Sequence, residues 1–147
     1  MIGRAAADGT VRAIYVHFDG GPDKKYPLLV GFLEDEQDID NLLAKGDLRS
    51  LGTRSLNVAG SRKKPTGRYI LAVDVAVPAV PAREYERMPD FLRGASDEAA
   101  HYVYLWIEGM WICFRFNEAE KVWKTLPITA GWTAAEMRTY CSGDALR

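Results

Sequence analysis

The sequence predicts an α+β fold, with residues 1–147 forming a single domain around a mostly antiparallel sheet. The order of strand-like and helix-like segments is strand, two helices, strand, helix, meander and helix, which is typical of this class. Two aromatic segments with alternating polarity, 101–107 and 110–116, flank Glu108-Gly109 and predict a hairpin. A chain of 147 residues that is 48% hydrophobic is large enough for one core.

The N-terminal part predicts a hairpin. Residues 10–18 alternate between two faces, as a strand covered on both sides would. Asp8-Gly9 just before them has turn chemistry, which predicts an earlier strand over residues 1–6.

Two helices are predicted next. Tyr26-Pro27 places a proline at a first helical position, and the apolar spacing that follows predicts a helix over 27–33. A second helix begins near Asp35, where acidic residues favour the helix dipole, and it ends at Lys45-Gly46. Its predicted buried residues are Ile39, Leu42 and Leu43.

The middle of the chain predicts an exposed basic loop over 53–68, with one short strand at 56–58. Residues 69–77 are the segment most clearly rich in β-branched residues, and they predict a strand that ends at the prolines at 78 and 81. A helix is expected to begin near Met88 and to end at Gly94.

The C-terminal part predicts a third strand of the meander over 121–126. A capping box from Thr133 to Glu136 predicts a short final helix that continues through Cys141.

Composition limits the classes of protein. Nineteen basic and 20 acidic residues give a formal net charge of −1, which argues against a globally basic nucleic-acid binder. No secretory apolar segment and no membrane span of about 18 residues is apparent, so we expect a cytoplasmic protein without a membrane partner. Cys113 and Cys141 are then expected to be free thiols.

His17, Asp19 and Gly20 stand where the first long strand ends. A carboxylate beside an imidazole is the start of a hydrolytic site, but no serine or cysteine in the chain lies in a nucleophile-elbow context. The alternative is a turn, in which Asp19 caps the backbone and the glycine supplies a positive φ. We favour the turn and expect no catalytic residue and no cofactor. We also expect no metal site, because two histidines and two distant cysteines lack zinc spacing.

The basic loop could neutralise phosphates and so bind nucleic acid, although it contains no aromatic residue for base stacking. Its cations are Arg54, Arg62, Lys63, Lys64 and Arg68. An acidic run at 34–40 makes the chain a dipole, which favours a protein partner or a homodimer.

The aromatic meander has two interpretations. Its residues either form the core or present an exposed platform for a protein partner, and the answer depends on whether helices cover both sheet faces. The residues concerned are Tyr102, Tyr104, Trp106, Trp111 and Trp123.

Two segments, followed by the aromatic hairpin at 102–114, carry a resemblance to a known group. Ile14, Tyr15, His17, Asp19 and Gly20 form the first, and Gly46, Asp47, Leu48, Ser50 and Leu51 form the second. The chain resembles small, functionally uncharacterised proteins encoded by tailed bacteriophages and prophages, although Val16, Phe18 and Arg49 replace a cysteine, a tryptophan and a serine of that pattern.

The resemblance implies an accessory protein made inside a bacterial host cell. We therefore expect a non-enzymatic protein that binds a host or phage protein. The alternatives are a nucleic-acid-binding accessory protein that uses the basic loop and a small hydrolase that uses His17 and Asp19.

Overall fold

A computed structural model describes residues 1–17, 21–55 and 69–126. These residues form three helices and eight strands, so the predicted α+β class is confirmed. The strands are β1 (Ile2–Ala5), β2 (Val11–Ile14), β3 (Leu48–Ser55), β4 (Tyr69–Val75), β5 (Arg83–Tyr85), β6 (Tyr102–Ile107), β7 (Met110–Asn117) and β8 (Val122–Thr125). The helices are α1 (Pro22–Phe32), α2 (Glu36–Leu43) and α3 (Met88–Asp97).

Six of the strands form one sheet in the order β5-β2-β1-β6-β7-β8. The predicted N-terminal hairpin is confirmed, because Ile2 pairs with Ile14 and Gly9 turns with a φ of 89°. β1 also pairs in parallel with β6, whereas the other neighbours are antiparallel. The N-terminal strand therefore lies in the middle of the sheet, and the Met1 amino group donates to the Tyr102 carbonyl oxygen at 2.8 Å.

Both faces of the central strands are covered. Side chains of α1, α2 and β3 pack on one face in a cluster that includes Leu29, Ile39 and Tyr104. On the opposite face, Phe91 of α3 packs with Leu105. The alternation of β6 thus supplies two cores, one on each side of the sheet.

β3 and β4 form a separate two-stranded sheet, with Leu51 opposite Val73. A parallel bridge between Val16 and Leu48 joins it to the end of β2. The predicted loop over 53–68 is wrong at its start, because residues 53–55 continue β3 and pair with β4. The remaining loop, with the predicted strand at 56–58, lies outside the described residues.

Two helix boundaries differ from the prediction. α1 begins at Pro22, where a missing N–H costs nothing, and Pro27 lies inside the helix. α3 continues past Gly94 to Asp97. A Cβ at Gly94 would lie 2.6 Å from the Tyr85 ring, so the glycine allows close packing there instead of ending the helix.

Other predicted elements are confirmed. The Asp35 carboxylate accepts from the Asp38 amide at 2.8 Å and caps α2. Glu108 and Gly109 both have positive φ, which gives the tight turn between β6 and β7. The predicted helix from Thr133 to Cys141 lies outside the described residues, and no helix within them is long and apolar enough to cross a membrane.

Candidate functional site

His17 lies exposed at the end of the first hairpin. Its backbone amide donates to the Leu48 carbonyl at 2.9 Å, and its ring meets the Tyr15 ring edge-on at 4.9 Å. His17 and His101 line a pocket of about 100 Å³ that contains no serine or cysteine side chain. Asp19 and Gly20 lie outside the described residues. The described part of this junction therefore offers no nucleophile to His17, and no three metal-ligating side chains cluster in the described ranges.

The aromatic residues of β6 and β7 are core residues. The exposed fraction is 0% for Tyr104, 7% for Trp106 and 3% for Trp111. Trp111 donates its indole N–H to the Leu33 carbonyl at 3.1 Å, which attaches the strand to the end of α1. The exposed-platform interpretation is wrong for these three residues, because α1 and α2 cover their face.

Trp123 of β8 is half-buried on the other face of the sheet. Its indole N–H lies 2.9 Å from both the Leu92 carbonyl oxygen and the Ser96 hydroxyl. This side chain therefore fixes α3 to the edge of the sheet.

The structure describes the whole predicted acidic run at 34–40, but only one of the five cations of the predicted basic loop. Arg54 is exposed in β3, and Arg62, Lys63, Lys64 and Arg68 lie outside the described residues. In the acidic run, Glu36 and Asp40 form ion pairs with Arg4 at 3.0 and 3.6 Å. Part of the acidic charge is thus balanced within the chain.

A different surface stands out at the end of β4 and just beyond it. Residues 75–81, called the proline loop below, have the sequence VAVPAVP, and the Val77 side chain is 94% exposed. The other exposed side chains of the loop are Val75, Pro78, Ala79, Val80 and Pro81. Elsewhere in the described ranges, the large exposed hydrophobic residues are Met110 and Val122. The proline loop is therefore the main apolar patch on the described surface.

The backbone of the proline loop is fixed by Asp47. The Asp47 amide donates to the Val80 carbonyl at 2.8 Å, and the Asp47 carbonyl accepts from the Ala76 amide at 3.0 Å. Gly46 has a φ of 75°, and a Cβ there would overlap the Val80 carbonyl oxygen. The close approach of the loop to this turn thus requires glycine.

The Asp47 side chain is only 4% exposed, and both of its carboxylate oxygens accept hydrogen bonds. Oδ1 accepts from the Tyr15 amide at 2.9 Å and from Arg83 Nη1 at 2.5 Å, while Oδ2 accepts from Arg83 Nη2 at 3.0 Å. Arg83 Nη2 also donates to Glu98 at 2.5 Å. The hydrogen bond to Asp47 raises the pKa of Arg83 against the effect of burial, and attraction to Glu98 adds to it, so the guanidinium stays charged.

The two segments that carry the resemblance meet at this point. Besides the bond from the Tyr15 amide to Asp47, the Leu48 amide donates to the Tyr15 carbonyl at 2.9 Å. The motif residues therefore build the joint that supports the proline loop. Sequence reasoning missed the loop itself, since its prolines served only as the end of a strand. The available signal was seven consecutive apolar residues without a charge.

Comparisons of the chain with protein-family models, with curated proteins and with solved structures give no match.

Proposed function

We propose that this chain is a non-enzymatic protein-binding protein that contacts its partner through the proline loop. The observation that carries the proposal is Val77, which is 94% exposed on a loop whose backbone is fixed on both sides by Asp47. Apolar patches of this kind on small proteins are typical of interaction sites.

The energetics favour such a contact. Burying one valine side chain in an interface contributes about 1.5–3 kcal/mol, and the neighbouring valines and prolines add apolar area. Because Asp47 already holds the loop in place, binding costs little further ordering of the backbone. An exposed loop that is both apolar and fixed is well suited to be the central contact of a small interface.

The proposed setting is that of an accessory protein of a tailed bacteriophage or prophage, acting in the bacterial host cytoplasm. The support for this setting is the resemblance at residues 14–20 and 46–51. The partner is then a host or phage protein.

Co-purification tests the proposal. We expect Val77→Asp to reduce recovery of the partner by at least about tenfold, because a carboxylate would have to be desolvated in the interface. Val122→Asp is the matched control, since Val122 is also exposed, at 44%, but lies in β8 far along the chain. Equal recovery of a partner by both variants and the wild type would overturn the proposal. Thermal melts of both variants should match the wild type, because both sites are on the surface.

A further inference from the structure

β4 is a long strand with one free edge. Its only neighbour among the described strands is β3, and its seven residues have the sequence YILAVDV. The outer strands of the larger sheet, β5 and β8, have only three and four residues, and both carry charged side chains. Short length and charge are the usual protection of an edge against pairing with another chain, whereas β4 has a single charged side chain, Asp74.

Hydrogen bonds of β3 show which of its backbone groups point away from β4. The Leu48 amide donates to the Tyr15 carbonyl at 2.9 Å, and the Leu48 carbonyl accepts from the His17 amide at 2.9 Å. The Leu51 carbonyl accepts from the Lys25 ammonium group. Leu48 and Leu51 therefore occupy positions of the ladder that are not hydrogen-bonded to β4.

The register transfers this result to β4. Val75 lies opposite Leu48, and Val73 lies opposite Leu51. Residues opposite each other in an antiparallel pair direct their backbone groups either both inward or both outward, so the amides and carbonyls of Val73 and Val75 point to the free edge. By alternation, those of Leu71 do so as well. Within the described part of the chain, the outward groups of these three residues have no hydrogen-bond partner.

β4 has one covered face and one open face. Leu71 and Val73 pack against the core cluster that includes residues of α1. The side chains between them and beside them alternate to the other face. There Gly52 lies opposite Ala72, and no described atom lies within 4 Å of the position that a Cβ at Gly52 would take. Asp74 is exposed on the same face, so the separate chain can accommodate new side chains at Ala72 and Asp74.

Two copies of β4 are complementary to each other when they run antiparallel. A twofold axis through Val73 places Leu71 of each copy opposite Val75 of the other, so that each outward amide meets an outward carbonyl. On the open face, Asp74 of one copy lies opposite Ala72 of the other, and no like charges are directly opposed. Because a two-stranded sheet is marginal by itself, the added strands would stabilise it.

We propose that the free edge of β4 is a dimerisation surface, at which two copies of this chain pair antiparallel about Val73. The occupant is a second copy because one strand supplies matching donors, acceptors and apolar side chains to itself across the axis. This inference does not rest on the proposed function, since it concerns a contact between copies and leaves Val77 outside the paired residues 71–75.

Sedimentation of the purified full chain between about 1 and about 500 μM tests for the dimer, and substitutions on the open face test its register. Ala72→Asp places a second carboxylate opposite each Asp74 and should raise the dimer Kd at least about tenfold. Adding Asp74→Lys makes the opposed charges unlike and should restore Kd to within about threefold of the wild type. Ala7→Asp, the same change in the exposed turn between β1 and β2, is the matched control and should stay within about twofold.

Amide hydrogen exchange of the wild-type chain provides a second, independent arm. The amides of Leu71, Val73 and Val75 should exchange rapidly in dilute solution and become protected at least about tenfold as the dimer forms. The alternate amides of β4, which face β3, should be protected at both concentrations. This two-residue alternation distinguishes edge pairing from general burial and from any effect of a substitution on folding.

The outcomes decide between the possible occupants. A chain that stays monomeric over the whole concentration range would overturn the proposal. So would a dimer with the same Kd in Ala72→Asp as in the wild type, because the copies would then meet at another surface. Protection of the alternate amides only after a different protein is added would show strand addition by that protein and would likewise overturn it. The effect of Val77→Asp on partner recovery decides the proposed function separately.

Discussion

At the residue scale, Asp47 connects segments that are far apart in the sequence. Its amide and carbonyl hold the proline loop, and its carboxylate holds Tyr15 and Arg83. In the sequence, Asp47 is notable only as the residue after Gly46, the glycine that follows α2. Its partner Arg83 is 36 positions away, and no local pattern predicts a pairing over that separation.

Removing the charge of Asp47 should destabilise the fold strongly. Asp47→Asn leaves the half-buried guanidinium of Arg83 without its bidentate partner, and we expect the free energy of unfolding to fall by about 3 kcal/mol. Urea unfolding measures this change. Asp90→Asn is the control, because Asp90 pairs with Arg87 and Arg93 at 3.5 and 3.6 Å on the surface and should cost only about 0.5 kcal/mol. Equal losses in the two variants would contradict the role given to Asp47.

Gly46 should be the glycine least tolerant of a side chain at a turn. Gly46→Ala and Gly9→Ala both place alanine at a positive φ, 75° and 89°, which costs about 1 kcal/mol in each case. Only at Gly46 would the new methyl group also overlap the Val80 carbonyl, whereas nothing lies within 4 Å at Gly9. We expect Gly46→Ala to cost at least about 1 kcal/mol more in urea unfolding, and equal costs would show that the loop does not pack against this turn.

At the element scale, two side-chain hydrogen bonds attach α1 and its C-terminal end to β7. The Tyr26 hydroxyl donates to the Trp111 carbonyl at 3.0 Å, and the Trp111 indole donates to the Leu33 carbonyl just beyond the helix at 3.1 Å. The bonds join helix to sheet through a buried interface, so the ionisation of Tyr26 is coupled to folding.

This coupling predicts a loss of stability at high pH. Burial, with a smaller contribution from Cys113, raises the pKa of Tyr26 above its ordinary value of 10.0. The folded chain thus keeps a proton that the unfolded chain releases, so stability is complete below about pH 10 and falls above it, by at most about 1.4 kcal/mol per pH unit for one group. In Tyr26→Phe the decline measured by urea unfolding should be shallower. Tyr85, whose pKa is also raised chiefly by burial, leaves a residual slope, and an unchanged pH dependence in Tyr26→Phe would contradict the assignment.

Elements with strong local signals could be predicted from the sequence. The start of α2 near Asp35 and the turn at Glu108-Gly109 depend on neighbouring residues, and both are confirmed. β5 has only three residues, and the parallel pairing of β1 with β6 depends on residues about 100 positions apart. The predicted start of α1 at Pro27 is wrong, because Pro22 also fits a first helical position and the helix begins there.

At the scale of the whole molecule, coverage of both sheet faces determines where a partner can bind. The alternation in β6 and β7 predicts two faces but does not show whether helices cover them. Because α1 and α2 cover one face and α3 covers the other, Tyr104 and Trp106 are core residues. Among the described residues, the main exposed apolar surface is therefore the proline loop. The sequence therefore shows that the seven residues of the proline loop are apolar, but it could not predict that they are exposed.

The most direct test of protein binding at the proline loop is site-specific photocrosslinking in the producing cell. A photoreactive amino acid replaces Val77 in one chain and Val122, which is 44% exposed, in a control chain. We predict one discrete crosslinked protein from position 77, reduced by excess unlabelled chain and absent from position 122. Crosslinking of the same proteins from both positions, or of none from position 77, would contradict the account.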